Sequence, residues 1–270
     1  MKRNRKKSNP GISPNGDQPT AASEQLVVVP RAPLKSTLES TEDLGGALFV
    51  LEGTDGSGRS TQIALLTEWL ESQGFAVQTM GLRRSTLLAK DIDVLLGENT
   101  VTRLTLALMY ATDFYDQLEN RILPALRSGL IVLADRYIYT LMARGVARGL
   151  HRKYLHGIYE KALRPDVTIW LDVRPELAFE RLFKKSQAIS YWEAGRDMFL
   201  SSDLYQSFVR YQTMIRKEFD FLAKRYGLNR LDGERSVPEI NRDLRKAIAA
   251  RLHIRSTRYQ PSHALAHLWR

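Results

Sequence analysis

The clearest chemistry in this sequence sits in Gly53-Thr54-Asp55-Gly56-Ser57-Gly58-Arg59-Ser60-Thr61. Glycines at this spacing let the backbone curl so that its N–H groups converge on phosphate oxygens. A helix opening directly behind the loop adds the positive end of its dipole. Ser60 supplies the hydroxyl expected to reach Mg²⁺. Arg59 stands where the phosphate-loop motif has Lys. Arg keeps the charge and binds phosphate strongly, but its planar fork does not place that charge where an ammonium would. Three readings follow: a loop that works with Arg, with slower chemistry; a loop that binds nucleotide without catalysis; or an accidental match. The apolar run before the loop and the helical pattern after it speak against accident, and the working loop is preferred. The ligand is then a nucleoside triphosphate such as ATP, the donor for a phosphoryl transfer.

The elements that must hold this loop are legible around it. Ala47-Leu48-Phe49-Val50-Leu51-Glu52 reads as a fully buried parallel strand. Ile63, Leu65, Leu66, Trp69 and Leu70 share a helical face, and Gly74 closes that helix. Ala76–Met80 reads as a second strand, and a helical stretch covers roughly 101–127. Leu130-Ile131-Val132-Leu133-Ala134 is a third strand, followed by Asp135-Arg136-Tyr137. Helices cover about 139–163, and Val167-Thr168-Ile169-Trp170-Leu171 is a fourth strand. A helix opens at Pro175, a long one runs through about 202–226, a short strand covers 229–231, and a last helix begins near Pro238. Strands alternating with helices predict an α/β fold with a parallel sheet and right-handed crossovers. Ligands bind such sheets at the carboxyl ends of the strands. The first and third strand ends should therefore lie side by side at one rim.

Composition narrows the remaining choices. The chain of 270 residues suits one α/β domain, expected over 45–254, between a disordered basic and polar tail (1–44) and an irregular tail (255–270). It has no cysteine, which excludes disulfides, zinc thiolates and cysteine nucleophiles and suits a cytoplasmic protein. No apolar run approaches a membrane span. The basic cluster Lys2, Arg3, Arg5, Lys6, Lys7 is not followed by an apolar stretch, so a secretory signal is not expected. The net charge of +10 has two readings. A basic surface could bind nucleic acid, with the N-terminal tail as anchor. Alternatively, a kinase that handles two polyanionic nucleotides is locally basic and carries a solvated tail. The second is preferred, because no nucleic-acid module signature is present.

Several segments together resemble the thymidylate kinase family. Phe49 to Gln62 looks like its opening, Asp135-Arg136-Tyr137 like its DRY motif, Arg164 to Val173 like its RPDLTLYLDV segment, and Arg83-Arg84-Ser85-Thr86 like its arginine loop. The resemblance covers about 46–252. It implies a P-loop kinase sandwich with five parallel strands in the order 2-3-1-4-5, ATP and Mg²⁺, and γ-phosphoryl transfer to dTMP. It also implies a homodimer through helices flanking the sheet. Asp55 then matches an acidic residue near the acceptor phosphate and metal. Arg84 and Arg136 match arginines on the acceptor phosphate and transferred group, and Asp135 an acid near the magnesium shell. The plainer alternatives are that Asp135 caps a helix and that Arg136 pairs with a carboxylate. Asp172 is as readily a strand-end turn residue as a ligand contact.

The pattern departs from the family at three places. Asp113 stands where the family has a base-contacting Arg, and an acceptor suits an exocyclic amine better than a thymine carbonyl. Ala143-Arg144-Gly145 replaces a Tyr-Gln pair. The lid, expected between Leu182 and Leu204, offers Lys184, Lys185 and Arg196, with Tyr191 and Trp192 either closing over a ligand or packing the lid down. A kinase for another deoxynucleotide and an ATP-binding switch without turnover are the competing functions.

Overall fold

The structure, a computed structural model, describes residue 41 and residues 44–258. The remainder of the N-terminal tail, read from the sequence as disordered, and residues 259–270 lie outside the described residues. Five strands, β1 (Ala47–Gly53), β2 (Val77–Gly81), β3 (Ile131–Asp135), β4 (Val167–Asp172) and β5 (Asn229–Asp232), form one parallel sheet in the order β2-β3-β1-β4-β5. The fold is the predicted one. The helices are α1 (Arg59–Ser72), α2 (Ala89–Glu98), α3 (Arg103–Gln117), α4 (Leu123–Arg127), α5 (Ile138–Ala147), α6 (Arg152–Ile158), α7 (Pro175–Ser186), α8 (Leu204–Tyr226) and α9 (Val237–Arg258). The last runs four residues past the expected domain end at 254.

The sheet is central because β1 is buried on both faces. Successive strand side chains point to opposite sides. Leu48 and Val50 join Phe114, Tyr137, Trp170 and Phe219 in one core. Phe49 and Leu51 join Ile63 and Leu66 of α1 and Ile240 and Leu244 of α9 in the other. The two cores define a three-layer arrangement with β1 at its middle. In register, Leu51 of β1 lies opposite Asp135 of β3, and Gly53 lies opposite Leu171 of β4. The two strand ends that the sequence placed at one rim are direct neighbours.

Two local features depart from the sequence reading. Helix α2 was not foreseen; it spans ten residues, and Ile92 is its one buried side chain. The helical stretch expected over 101–127 is broken by a π turn at Leu118–Ile122. Pro124 opens α4 there; it cannot donate a backbone hydrogen bond and crowds the preceding turn, and a widened turn accommodates both constraints.

Candidate active site

The phosphate loop leaves β1 at Gly53 and enters α1 at Arg59. Gly56 has φ +82°, and a Cβ there would lie 2.3 Å from the Ala178 carbonyl oxygen of α7, so only glycine fits. Gly58 has φ +94° with open space beside it, and no side chain caps the N–H groups that begin α1. Those donors and that clear approach suit phosphate oxygens. Thr54 Oγ1 is buried without a partner within the same loop.

Arg59 folds back into the loop rather than reaching out of it. Its Nη1 donates to the carbonyls of Gly53 and Thr54, both at 2.6 Å, and to Ser57 Oγ at 2.9 Å. Its Nε donates to Asp135 Oδ1 at 2.7 Å, and only 6% of the side chain is exposed. Ser60 Oγ donates to the other oxygen, Asp135 Oδ2, at 3.0 Å. Ser60 and Asp135 thus meet as a hydroxyl and a carboxylate on the rim. Among the described residues no group of three His, Cys, Asp or Glu forms a metal cage. Mg²⁺ held mostly through phosphates and one or two protein oxygens does not need one.

Beyond Asp135 the chain turns through Arg136, whose φ of +73° is costly for a residue with a Cβ. Its amide donates to Leu51 O at 2.9 Å, and its guanidinium pairs with Asp55. Arg144 of α5 pairs with the same carboxylate, Nη2 to Oδ2 at 2.8 Å. Burial alone would raise Asp55, but Arg136, Arg144 and Arg59 outweigh it and hold the carboxyl well below the usual range. Asp135 is likewise held down, burial being outweighed by Arg59 and Arg136. Burial and the nearby Arg59 lower Arg136 to about 10. Three guanidiniums therefore share two carboxylates, and an arriving anion would be welcome.

Two cavities meet here. One, of about 460 Å³, is lined by the phosphate loop from Asp55 to Gln62 with Arg181, Lys185 and Arg235. The other, of about 510 Å³, is lined by Arg83, Arg103, Tyr110, Arg144 and Trp192 among others. Asp55, Arg136 and Glu193 line both. A donor triphosphate in the first and an acceptor in the second would face one another across Asp55 and Arg136.

The family model for thymidylate kinase matches residues 51–243. A relative from Saccharolobus solfataricus, described as "Probable thymidylate kinase 2", is 36% identical over 204 residues, covering 75% of this chain and 95% of the relative. A "Thymidylate kinase" from Thermoanaerobacter sp. is 32% identical over 205 residues, covering 74% of this chain and 95% of its own. The chain belongs to the thymidylate kinase family. It is thereby an ATP-dependent phosphotransferase of the nucleoside monophosphate kinase type.

Within the thymidylate kinase frame, several expected residues sit elsewhere than their sequence position suggested. Arg83 of the arginine loop lines the second cavity, while Arg84 is exposed and lines neither; its carbonyl accepts Arg121 Nη1 at 3.0 Å. Asp113 is not a base contact. It is fully buried, and its two oxygens accept from the amides of Arg83 at 2.9 Å and Ser85 at 3.0 Å, with Gln117 Nε2 also donating. The objection to thymine drawn from Asp113 therefore falls: its acceptors hold the arginine loop. Asp172 is structural, paired with Arg216 at 2.6 Å and with Arg230. In the lid, Tyr191 and Trp192 line the second cavity, and Trp192 Nε1 donates to Leu96 O of α2 at 2.8 Å. Lys185 lines the loop cavity, whereas Arg196 is spent on the carbonyls of Ser201 and Ser202. Lys184 lines neither cavity.

Glu52 escaped the sequence reading, having been counted only as the end of a strand. It is wholly buried, and its carboxylate accepts from the amides of Tyr137 at 2.9 Å and Thr140 at 3.2 Å and from the Thr140 hydroxyl. It thus caps α5 from a neighbouring strand and fixes the turn that carries Arg136. Burial raises its carboxyl from 4.5 to about 7, against the opposing pull of Thr140 and Arg59. The folded chain then holds this proton more tightly than the unfolded chain. Its contribution to stability is fully present below pH 4.5 and is lost as the pH rises through 7. The loss is about 3 kcal/mol. Glu52→Gln keeps the acceptor without the charge, so it is expected to flatten the decline in melting temperature between pH 5 and pH 8. Thermal melts across that range check this; an unchanged slope would count against it.

Proposed function

We propose that the chain transfers the γ-phosphoryl group of ATP to dTMP, giving ADP and dTDP. The observation that carries this reading is the meeting of a phosphate-loop cavity and a second cavity at Asp55 and Arg136. An acceptor phosphate oxygen attacks the γ-phosphorus there. The bond from that phosphorus to the bridging oxygen breaks, and its electron pair leaves with ADP. Such transfer depends on positioning and charge neutralisation more than on covalent chemistry.

The roles follow the geometry. The loop amides from Gly53 to Thr61, with Thr54, Gly56, Ser57 and Gly58, cradle the donor phosphates. Ser60 and Asp135 would hold Mg²⁺, which would supply neutralisation of the charge developing on the phosphate oxygens. Arg59 stiffens the loop and places its charge under it. Arg136 touches the transferring group from the junction, and Asp55 aims that guanidinium. Arg83, which pairs with Asp93 at 2.7 Å on the wall of the second cavity, is nearer the acceptor than Arg84, which lines neither cavity. Arg103 brings guanidinium donors to the cavity wall, where among the described residues it makes one long hydrogen bond, 3.4 Å to the Arg148 carbonyl, and thymine carbonyls suit such donors. A homodimer is the implied assembly. Val94 on α2 and Leu104 and Leu108 on one face of α3 are exposed apolar residues that it would cover.

The test is incubation of purified protein with ATP, Mg²⁺ and each nucleoside monophosphate, with ADP and diphosphate products separated by chromatography. dTDP is expected, with dTMP preferred over dCMP and AMP by roughly 10-fold or more, about what one or two specific contacts provide. ATP binding with no product from any acceptor would favour a switch protein instead.

A further inference from the structure

Arg144 has an arrangement that a passive counter-ion would not need. It lies in the last turn of α5, where the family's pattern has a Tyr-Gln pair. Only Nη2 of its guanidinium is hydrogen-bonded among the described residues, at 2.8 Å to Asp55 Oδ2 and 3.2 Å to Oδ1. Nε and Nη1 are left over, on a side chain that lines the second cavity but not the phosphate-loop cavity. Arg136 shares the same carboxylate and lines both cavities. One carboxylate therefore aims two guanidiniums at one place. Together they present more N–H donors than Asp55 can accept, while a phosphate monoester offers three oxygens and close to two negative charges. A single tyrosine in this position would bring neither charge nor fork.

We propose that Arg144 is a phosphate-binding residue for the acceptor, gripping the monophosphate beside Arg136. This inference rests on the phosphotransfer reading above and adds to it a residue in which this chain departs from its family. The division of labour follows from the cavities. Arg136, at the junction, attends the group in flight. Arg144, wholly on the acceptor side, holds the phosphate that receives it. Asp55 keeps both guanidiniums apart and oriented before the acceptor arrives, so little ordering remains to be done on binding.

Calorimetric titration of the full chain with dTMP and with thymidine separates this role from a structural one. Arg144→Gln is expected to weaken dTMP binding by roughly 10- to 100-fold while thymidine binding stays within about threefold, since thymidine lacks the phosphate. Arg144→Lys, which keeps charge and a partner for Asp55, should recover part of the loss and serves if Arg144→Gln folds poorly. Arg has geometry that Lys does not reproduce at a bidentate site, so recovery should be incomplete. Equal losses for dTMP and thymidine, or no loss for either, would overturn the proposal while the wild type still makes dTDP. A wild type that neither binds nor phosphorylates dTMP would overturn the phosphotransfer reading, and this one with it.

Discussion

Replacing Arg136 with Ala is expected to lower kcat/KM for dTMP by roughly three orders of magnitude, the scale of removing an arginine from a phosphoryl-transfer site. That corresponds to about 4 kcal/mol of transition-state stabilisation. The position also allows the chemical loss to be separated from backbone effects. Arg136 sits at φ +73°, where a Cβ is strained and glycine is not. Arg136→Gly should therefore be more stable than Arg136→Ala by about 1 kcal/mol and equally inactive. A protein held in an unfavourable conformation at the residue that lines both cavities exchanges stability for placement of a guanidinium. Steady-state kinetics and thermal melts of both variants decide the matter. Activity of either within tenfold of wild type would remove Arg136 from the transfer step.

Arg59 should give the second largest effect, and in two measurements at once. Arg59→Ala leaves the carbonyls of Gly53 and Thr54, Ser57 Oγ and one oxygen of Asp135 without their common donor. Asp135 keeps some exposure at the rim, which moderates the cost. Losing a charged donor from buried acceptors still costs about 2–4 kcal/mol. Turnover should fall by roughly 100-fold or more, because the loop loses the frame that curls its amides toward phosphate. Arg59→Lys is the sharper comparison. A lysine ammonium has three donors on a single nitrogen, whereas Nε and Nη1 of Arg59 reach Asp135 and the loop carbonyls at separate points. Restoring the usual phosphate-loop residue is therefore expected not to raise kcat. A gain above tenfold would mean that Arg59 is a handicap rather than a working part.

The fold was legible because its signals are local. Strands β1, β3 and β4 are short, almost wholly apolar runs, and the phosphate loop lies where the first of them gives way to a helix. Leu48 to Leu51 are buried on both faces because helices cover both sides of the sheet. What stayed illegible is non-local. α2 is short and buries a single side chain, and the π turn depends on how Pro124 is accommodated by its surroundings. The same division runs through the site. Asp55, Ser60, Asp135 and Arg136 could be named from motifs. Their partners could not: Glu52 bonds residues 85 and 88 positions away, and Arg144 reaches Asp55 across 89. Asp113 shows the hazard of reading a position by analogy, since its two carboxylate oxygens turn inward to the arginine loop and never meet the second cavity.

The sequence by itself determined that a phosphate loop follows a buried strand, that acidic and basic residues end its neighbour, and that the chain is built as an α/β sheet. Those features depend on residue type and on spacing within a few positions. The tertiary structure alone decided that Arg83 rather than Arg84 lines the second cavity, that Arg59 points into its own loop, and that Arg136 and Arg144 converge on Asp55. A side chain's direction is set by whichever donors, acceptors and apolar walls the folded chain brings to it, and those come from strands and helices far apart in sequence.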